Sequence, residues 1–193
     1  MLAAGASRRM GTCKQLLQLG DKPVILHCLE TIMASGVNEV IVVTGANGDA
    51  VAAAVEHLAV KLVRNPAIDG DMAGSVRIGL TAVSSESSGV MICLADQPLI
   101  TACTCRQLLR QHAVTPEEIL IPVFEGKKGH PTIFPYGLLH PFSEDMTLRD
   151  VVGKNSRRVR LIEVCDHGVA LDMDTPSDYQ DMQEFWVHKE SAI

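Results

Sequence analysis

The chain has 193 residues, of which 47% are hydrophobic and only 4% aromatic, so we expect a single domain over residues 1–193 with an aliphatic core. A formal net charge of −6 leaves no long basic surface, and we expect no nucleic-acid partner. The N-terminus enters a motif at once and no apolar run approaches a membrane span, so we expect a cytoplasmic protein without a signal peptide or membrane contact.

The first 14 residues predict the end of a hydrophobic strand followed by a cationic loop. Gly5 and Gly11 permit positive φ or close approach of a ligand, Ser7 offers a hydroxyl group, and Arg9 and Lys14 supply positive charge to phosphate oxygens. The loop matches neither a Walker A motif nor a Gly-x-Gly-x-x-Gly fingerprint. The alternative is an ordinary turn with solvated arginines.

Apolar runs then alternate with segments of helical periodicity. Predicted helices cover 23–33, 49–58, 73–83, 101–112 and 147–152, and Thr175-Pro-Ser-Asp178 begins a last one. Predicted strands cover 39–44, 60–64, 89–95, 118–123, 131–134, 159–164 and 169–171. The alternation predicts an α/β fold with a mainly parallel central sheet flanked by helices, in which strand 89–95 is the most central.

Carboxylates follow two of these strands, where ligands of open parallel sheets gather. Asp96 comes directly after strand 89–95 and could hold a hard divalent ion that bridges substrate phosphates. Asp172 and Asp174 precede the last helix, and Asp174 ranks first as a second metal ligand. Their alternatives are a turn residue before Pro98 and a helix cap.

A histidine and six cysteines are the remaining candidates. His130 stands between Gly129 and Pro131 near two lysines, which suits a pocket for an anionic substrate, although a lone histidine is more often structural. The cysteines lack zinc-site spacing and predict buried free thiols, with a redox or metal role for Cys13 as a minor alternative.

Four motifs in order resemble the MobA-like nucleotidyltransferases, most closely the molybdenum cofactor cytidylyltransferases. They are Leu2-Ala-Ala-Gly-x-Ser-x-Arg-Met-Gly-x-x-Lys14, Leu94-Ala-Asp-Gln-Pro98, Gly129-His-Pro131 and Asp172-x-Asp-Thr-Pro176. The resemblance spans nearly the whole chain and implies a Rossmann-like fold of the nucleotide-diphospho-sugar transferase type. It implies Mg²⁺-dependent transfer of CMP from CTP to the phosphate of molybdopterin, with release of pyrophosphate.

The same resemblance implies roles for individual residues. Arg9, Lys14 and Asp96 would be catalytic, and Asp96 with Asp174 would bind Mg²⁺. Gly129, His130 and Pro131 would contact the acceptor. The residues implied in nucleotide binding are Leu2, Ala3, Ala4, Gly5, Ser7, Arg9, Lys14, Asn65 and Ser75.

Several alternatives stay open. Ala4 favours CTP, because relatives that transfer GMP tend to have a second glycine there, but GTP remains a candidate. Another acceptor, such as a sugar or polyol phosphate, fits the same motifs. Asp71 stands where relatives tend to have glycine and motivates a non-catalytic accessory role, in which the chain passes cofactor to an apoenzyme such as a molybdenum hydroxylase. A dinucleotide-binding oxidoreductase is opposed by the missing glycine fingerprint.

Overall fold

The computed structural model describes residues 1–5, 7, 9–67 and 71–190, without the side chains of 188–190. The helices are α1 Val24–Met33, α2 Gly48–Val55, α3 Met72–Leu80, α4 Ala102–Val114, α5 Tyr136–Leu139, α6 Leu148–Lys154 and α7 Pro176–Glu190. The strands are β1 Leu2–Ala3, β2 Gln18–Leu19, β3 Lys22–Pro23, β4 Ile41–Thr44, β5 Lys61–Arg64, β6 Gly89–Ile92, β7 Ile119–Phe124, β8 Lys127–Lys128, β9 Thr132–Pro135 and β10 Val159–Glu163. Among the described helices, none combines the length and apolarity needed to span a bilayer.

The strands form a twisted α/β sheet with β1 and β6 at its centre. One half has the order β5-β4-β1 with parallel pairs, and the other has the order β6-β9-β7-β10. A parallel bridge between Leu2 and Leu94 joins the halves, with Leu2 N donating to Cys93 O at 2.8 Å and Ala95 N donating to Leu2 O at 3.1 Å. Because β9 runs antiparallel to β6 and β7, the sheet is mixed but mainly parallel, as predicted.

Side chains at the helix N-termini fix where several helices begin. Thr101 accepts a hydrogen bond from Thr104 N, as predicted for the start of α4. Thr147 and Asp150 form a reciprocal capping box on α6. Asp178 N donates to Thr175 Oγ1 at 3.2 Å in the first turn of α7. These local bonds satisfy backbone donors that have no partner within their helix.

The core is aliphatic and lies on both faces of the sheet. On one face, α1 and α2 bury Leu29 and Val51 against Val42 of β4. On the other, Phe134 of β9 packs with Val151 of α6. Phe134 is the one aromatic residue among the fully buried apolar side chains of the described ranges, in agreement with the low aromatic content.

One predicted strand is wrong. Segment 169–171 does not pair; instead His167–Ala170 forms a 3₁₀ turn. Asp166 Oδ1 accepts from Gly168 N at 3.0 Å and starts the turn, and a Cβ on Gly168 would lie 2.5 Å from the carbonyl carbon of Leu99. The side chain of Asp166 therefore competes with strand formation, and the close backbone contact requires glycine. The hairpin of β2 and β3 and the short helix α5 were not predicted.

Candidate active site at the carboxyl edge of the sheet

The N-terminal loop after β1 is a compact turn organised around Ser7. Ser7 has a φ of +49° and its carbonyl oxygen accepts from the N–H groups of Met10 and Gly11 at 3.0 and 3.1 Å. Its hydroxyl oxygen accepts from Lys14 N at 3.2 Å. Gly11 adopts a positive φ of 67°, a conformation that glycine tolerates best. The loop thereby folds back so that Lys14 lies beside Ser7, and Gly5 is exposed.

Lys14 meets two carboxylates that come from distant parts of the chain. Its Nζ donates to Asp96 Oδ2 and, at 2.8 Å, to Asp174 Oδ1. Arg9 Nη2 donates to the second oxygen of Asp174, also at 2.8 Å. The side chain of Lys14 is 10% exposed and that of Asp96 16%, whereas that of Arg9 is 70% exposed. We refer to Arg9, Lys14, Asp96 and Asp174 as the charged cluster.

The charged cluster combines two cations with two anions and perturbs their titration. Burial alone would lower the pKa of Lys14, but the two neighbouring carboxylates raise it overall, so the ammonium group stays charged. Burial raises the pKa of Asp96 against the opposing effect of Lys14. The hydrogen bond from Lys14 lowers the pKa of Asp174. Such perturbed groups at a sheet edge are typical of functional sites.

The backbone around each aspartate is fixed by its neighbours. Met173 is fully buried and its N–H donates to Asp96 O at 3.1 Å, which ties the segment before α7 to the end of β6. Asp178 Oδ2 accepts from Asp174 N at 2.9 Å and from Thr175 N at 2.7 Å. The helix-start signal recognised at Thr175–Asp178 thus also orients Asp174.

Two residues predicted to bind nucleotide lie in a buried position beside α3. Asn65 and Ser75 are about 95% buried, and Asn65 Nδ2 donates to Ser75 Oγ at 3.1 Å. Asn65 Oδ1 also accepts from Ala67 N at 3.0 Å. These bonds hold the end of β5 against α3, and the role of the two residues in nucleotide binding stays a prediction. Asp71 accepts from Gly74 N at 2.7 Å as the N-cap of α3, which gives this departure from the family pattern a structural role.

Gly45, which directly follows β4, shapes the end of β1. A Cβ on Gly45 would lie 2.5 Å from the carbonyl oxygen of Ala4. The backbones that follow β1 and β4 therefore approach more closely than any larger residue permits. Ala4 lies at this narrow junction, next to the exposed Gly5.

Gly129 and His130 of the Gly129-His130-Pro131 motif line a cleft of about 410 Å³, and Asp172 is part of the same lining. His130 N donates to Val169 O at 3.0 Å, and the His130–Pro131 peptide bond is cis. Burial lowers the pKa of the His130 imidazole, so the ring is neutral at pH 7. The lining includes two cations, Lys128 and Arg149, and apolar side chains such as Phe134 and Leu148. We refer to this cavity as the acceptor cleft.

Gln97 links the charged cluster to the acceptor cleft and was not singled out from the sequence. It is 3% exposed, follows Asp96, and lines the cleft. Its Nε2 donates to Asp172 Oδ1 at 2.6 Å. Asp172 therefore bonds to Gln97, whereas Asp174 bonds to Lys14, although both aspartates were candidates to bind one cation. The signal available in the sequence was the position of Gln97 directly after the predicted metal ligand.

Cys13 lies in the loop, but its surroundings do not favour a reactive thiolate. Burial raises the pKa of Cys13, and its Sγ contacts Gln15 Oε1 at 3.1 Å. All six cysteines are free, with Cys28, Cys93 and Cys105 buried as predicted. Cys103 and Cys165 are exposed, contrary to the expectation of buried thiols.

The charged cluster fits a hard divalent cation. Asp96 Oδ1 is buried and lacks a hydrogen-bond partner among the described residues, although its neighbouring oxygen is bonded to Lys14. Across those residues no set of three or more His, Cys, Asp or Glu side chains could enclose an ion. Mg²⁺ is commonly bound through one or two carboxylates together with substrate phosphates and water, and Asp96 and Asp174 are carboxylates of that kind.

Comparison with known proteins places this geometry in a family. The MobA-like NTP transferase domain matches residues 1–159. Nicotine blue oxidoreductase of Paenarthrobacter nicotinovorans is 28% identical over 187 residues, which cover 91% of this chain and 90% of that protein. The crystal structure of Rv0371c from Mycobacterium tuberculosis H37Rv is 32% identical, with a TM-score of 0.82 over 95% of each chain. The structure of Rv0371C in complex with manganese is 30% identical, with a TM-score of 0.78 over 95% of each chain.

The family match covers most of the chain and includes the loop, the strand ends and Asp96. The structural likeness extends over nearly the full length of the mycobacterial protein. The predicted nucleotidyltransferase-type fold is thereby confirmed. This chain belongs to the MobA-like NTP transferase domain family.

Proposed function

We propose that this chain transfers CMP from CTP to the phosphate of a molybdopterin-type acceptor. The observation that carries the proposal is the charged cluster, in which Lys14 joins Asp96 and Asp174 at the carboxyl edge of the sheet. Phosphoryl transfer requires positioning and neutralisation of charge rather than a protein nucleophile. The cluster meets that requirement with two cations from the N-terminal loop and two carboxylates that suit a metal ion.

The reaction forms one P–O bond and breaks another. An oxygen of the acceptor phosphate attacks the α-phosphorus of the nucleotide while the bond to the β-phosphate breaks, and the bonding electrons leave with pyrophosphate. Arg9 and Lys14 offset the negative charge on the triphosphate and the leaving group, for which they exchange their aspartate partners for phosphate oxygens. Asp96 and Asp174 would hold Mg²⁺, which when bound neutralises phosphate charge and acts as a Lewis acid.

The acceptor cleft supports an anionic acceptor. Lys128 and Arg149 supply positive charge at its lining, and the neutral His130 can donate or accept one hydrogen bond. Its volume and mixture of apolar and polar side chains are typical of small-molecule sites. The preference for CTP rests on Ala4, and the manganese complex of the mycobacterial relative supports a divalent cation.

The proposal is tested by measuring pyrophosphate release with CTP and GTP in parallel, using molybdopterin as acceptor and Mg²⁺ as metal. We expect release with CTP and much less with GTP, and we expect Asp96→Asn to abolish most of it. Release with a polyol phosphate but not with molybdopterin would assign a different acceptor. Co-purification of a pterin without turnover of either nucleotide would replace the enzyme by an accessory protein.

A second candidate function is favoured by one comparison. Nicotine blue oxidoreductase matches this chain over 90% of its own length, so a redox reaction on the same fold is a specific competitor. The two functions consume different substrates. Oxidation of NADH or NADPH by the purified chain in the absence of CTP, with no pyrophosphate formed when CTP is added, would favour the oxidoreductase.

A further inference from the structure

Gln97 carries a buried oxygen that no described residue of the chain satisfies. Gln97 has a relative exposure of only 3%, yet its Oε1 has no hydrogen-bond partner among the described residues. The other end of the amide is fixed, because Nε2 donates to Asp172 Oδ1 at 2.6 Å and lies 3.5 Å from Val169 O. Buried polar atoms in native proteins are nearly always paired, and an unpaired one costs about 1–3 kcal/mol.

The unpaired oxygen belongs to a residue of the acceptor cleft. Gln97 lines that cavity together with Asp172 and His130. The amide cannot turn its oxygen towards Asp172, because a carboxylate accepts hydrogen bonds and requires the NH₂ group. The contact with Asp172 therefore fixes which end of the amide remains for a ligand, and that end accepts a hydrogen bond.

We propose that Gln97 selects the acceptor by accepting a hydrogen bond from an N–H or O–H group of that molecule. The inference rests on the proposed function, since it assigns a specificity role within the same site. It describes the acceptor as a phosphate ester that also carries a hydrogen-bond donor. An amide N–H of a pterin and a hydroxyl group of a polyol both meet that description.

The Asp172 carboxylate strengthens this preference for donors. It is exposed, accepts from Gln97, and keeps further acceptor capacity beside the amide oxygen. A molecule without a donor would leave Gln97 Oε1 buried and unpaired, and sites built to hydrogen-bond a ligand group discriminate strongly against analogues that lack it. Gln97 would thus act on recognition of the acceptor and leave the phosphate chemistry to the charged cluster.

The test compares two ligand pairs on the wild-type protein and on Gln97→Met. The first pair is 6-hydroxymethylpterin phosphate and its N3-methyl analogue, and the second is a polyol phosphate and its deoxy analogue. Affinities are measured directly in the presence of Mg²⁺, with pterin fluorescence for the first pair and calorimetry for the second. The matched control is Gln107→Met, which changes a helix glutamine that donates to Glu163 O at 3.1 Å outside the cleft.

We expect wild type and the Gln107→Met control to prefer the donor-bearing member of one pair by roughly tenfold, the effect of one hydrogen bond. Gln97→Met should bind both members of that pair equally, with the affinity for CTP unchanged. A preference within the pterin pair supports the molybdopterin-type acceptor. A Gln97-dependent preference within the polyol pair supports Gln97 as selector and removes molybdopterin from the proposed function.

Equal affinities within both pairs for the wild-type protein would overturn the inference, whether or not Gln97→Met folds. A preference that Gln97→Met retains would overturn it as well. The proposed function fails separately: if the discrimination depends on Gln97 but no acceptor supports release of pyrophosphate from CTP, the chain binds the acceptor without transferring CMP to it.

Discussion

The charged cluster and the acceptor cleft lie side by side but differ in how their charges are balanced, although each holds one buried oxygen, Asp96 Oδ1 or Gln97 Oε1, with no hydrogen-bond partner among the described residues. In the charged cluster, Lys14 and Arg9 occupy oxygens of Asp96 and Asp174, so the cations and anions largely neutralise one another. In the acceptor cleft, Gln97 keeps an unpaired buried oxygen and His130 is held neutral by burial. Under the proposed function, the cations of the cluster would exchange their carboxylate partners for phosphate oxygens, whereas the cleft would bind the acceptor without such an exchange.

This difference predicts different kinetic effects of mutation. Changes in the charged cluster should alter turnover, metal affinity and triphosphate affinity, because its groups act on the charges that move in the reaction. Changes in the cleft should alter the KM for the acceptor, because its groups would bind that molecule without taking part in bond formation or cleavage.

The largest expected effect is that of Asp96→Asn. The substitution keeps the size of the side chain but removes the charge that would hold the metal, so we expect kcat to fall roughly 10³-fold, or about 4 kcal/mol in the barrier. CTP affinity should change much less, because the metal acts mainly on the transition state. Steady-state pyrophosphate release and calorimetric titration of CTP separate the two. Equal losses in turnover and affinity would contradict the role of Asp96. The control is Asp49→Asn, which changes an exposed carboxylate on α2.

The next effect concerns the exposed cation. Arg9→Ala should weaken binding of CTP by about 1.5–3 kcal/mol, through loss of a charge-assisted contact to the triphosphate. The control is Arg106→Ala on α4. It removes a side chain of the same charge, which donates to Ala34 O at 2.9 Å. Calorimetry with CTP measures both. Unchanged affinity for Arg9→Ala would mean that the arginine is a solvated turn residue that pairs only with Asp174.

A smaller effect tests whether Lys14 exchanges its aspartate partners for the triphosphate or only holds the two aspartates in position. Lys14→Gln removes the ammonium group that Asp96 and Asp174 share, so Mn²⁺ binding without nucleotide should tighten by roughly tenfold. CTP binding should weaken by a similar factor, because the same group would serve the triphosphate. Electron paramagnetic resonance of free Mn²⁺ and calorimetry of CTP report the two changes. If the affinities for Mn²⁺ and for CTP both fell, Lys14 would only hold the two carboxylates in position. The control is Lys61→Gln, which removes the lysine of a surface ion pair with Glu39.

The two regions also differ in how far they could be predicted from sequence. The candidates of the charged cluster were recognisable because each stands at a strand end or in a glycine loop, which are local features. The pairing itself was not predictable, since Lys14 contacts residues 82 and 160 positions away. Short-range patterns specify which groups are present at an edge, and the order of the strands decides which of them meet.

The acceptor cleft was predicted less completely. His130 was found through its neighbours in the motif, but Gln97 was not, because its only signal in the sequence is its position directly after Asp96 and its role depends on one atom that has no partner among the described residues. The error at 169–171 has the same origin. Val169 has strand propensity, but the Asp166 side chain and the close backbone contact at Gly168 impose a turn there.

The smallest expected effect uses pH to separate the two regions. Burial places the pKa values of His130 and His112 below the usual 6.5. Below that pH the unfolded chain binds protons that the folded chain excludes, so the free energy of unfolding should fall as pH decreases through this range. Asp174 has a lowered pKa and contributes stability above its usual value of 3.8, which is lost only at more acidic pH. As pH falls, the contribution of the two histidines should therefore be lost before that of Asp174.

Chemical denaturation at about pH 7.5 and about pH 5.5 measures this loss. His130→Gln and His112→Gln should each reduce it, because glutamine does not titrate. His112 lies outside the acceptor cleft, where its Nε2 is 3.2 Å from Ser88 Oγ, so it serves as the comparison for His130. If His130→Gln left the loss unchanged while His112→Gln reduced it, the imidazole in the cleft would be solvated enough to ionise, and an anionic acceptor would meet a third cation there at acidic pH.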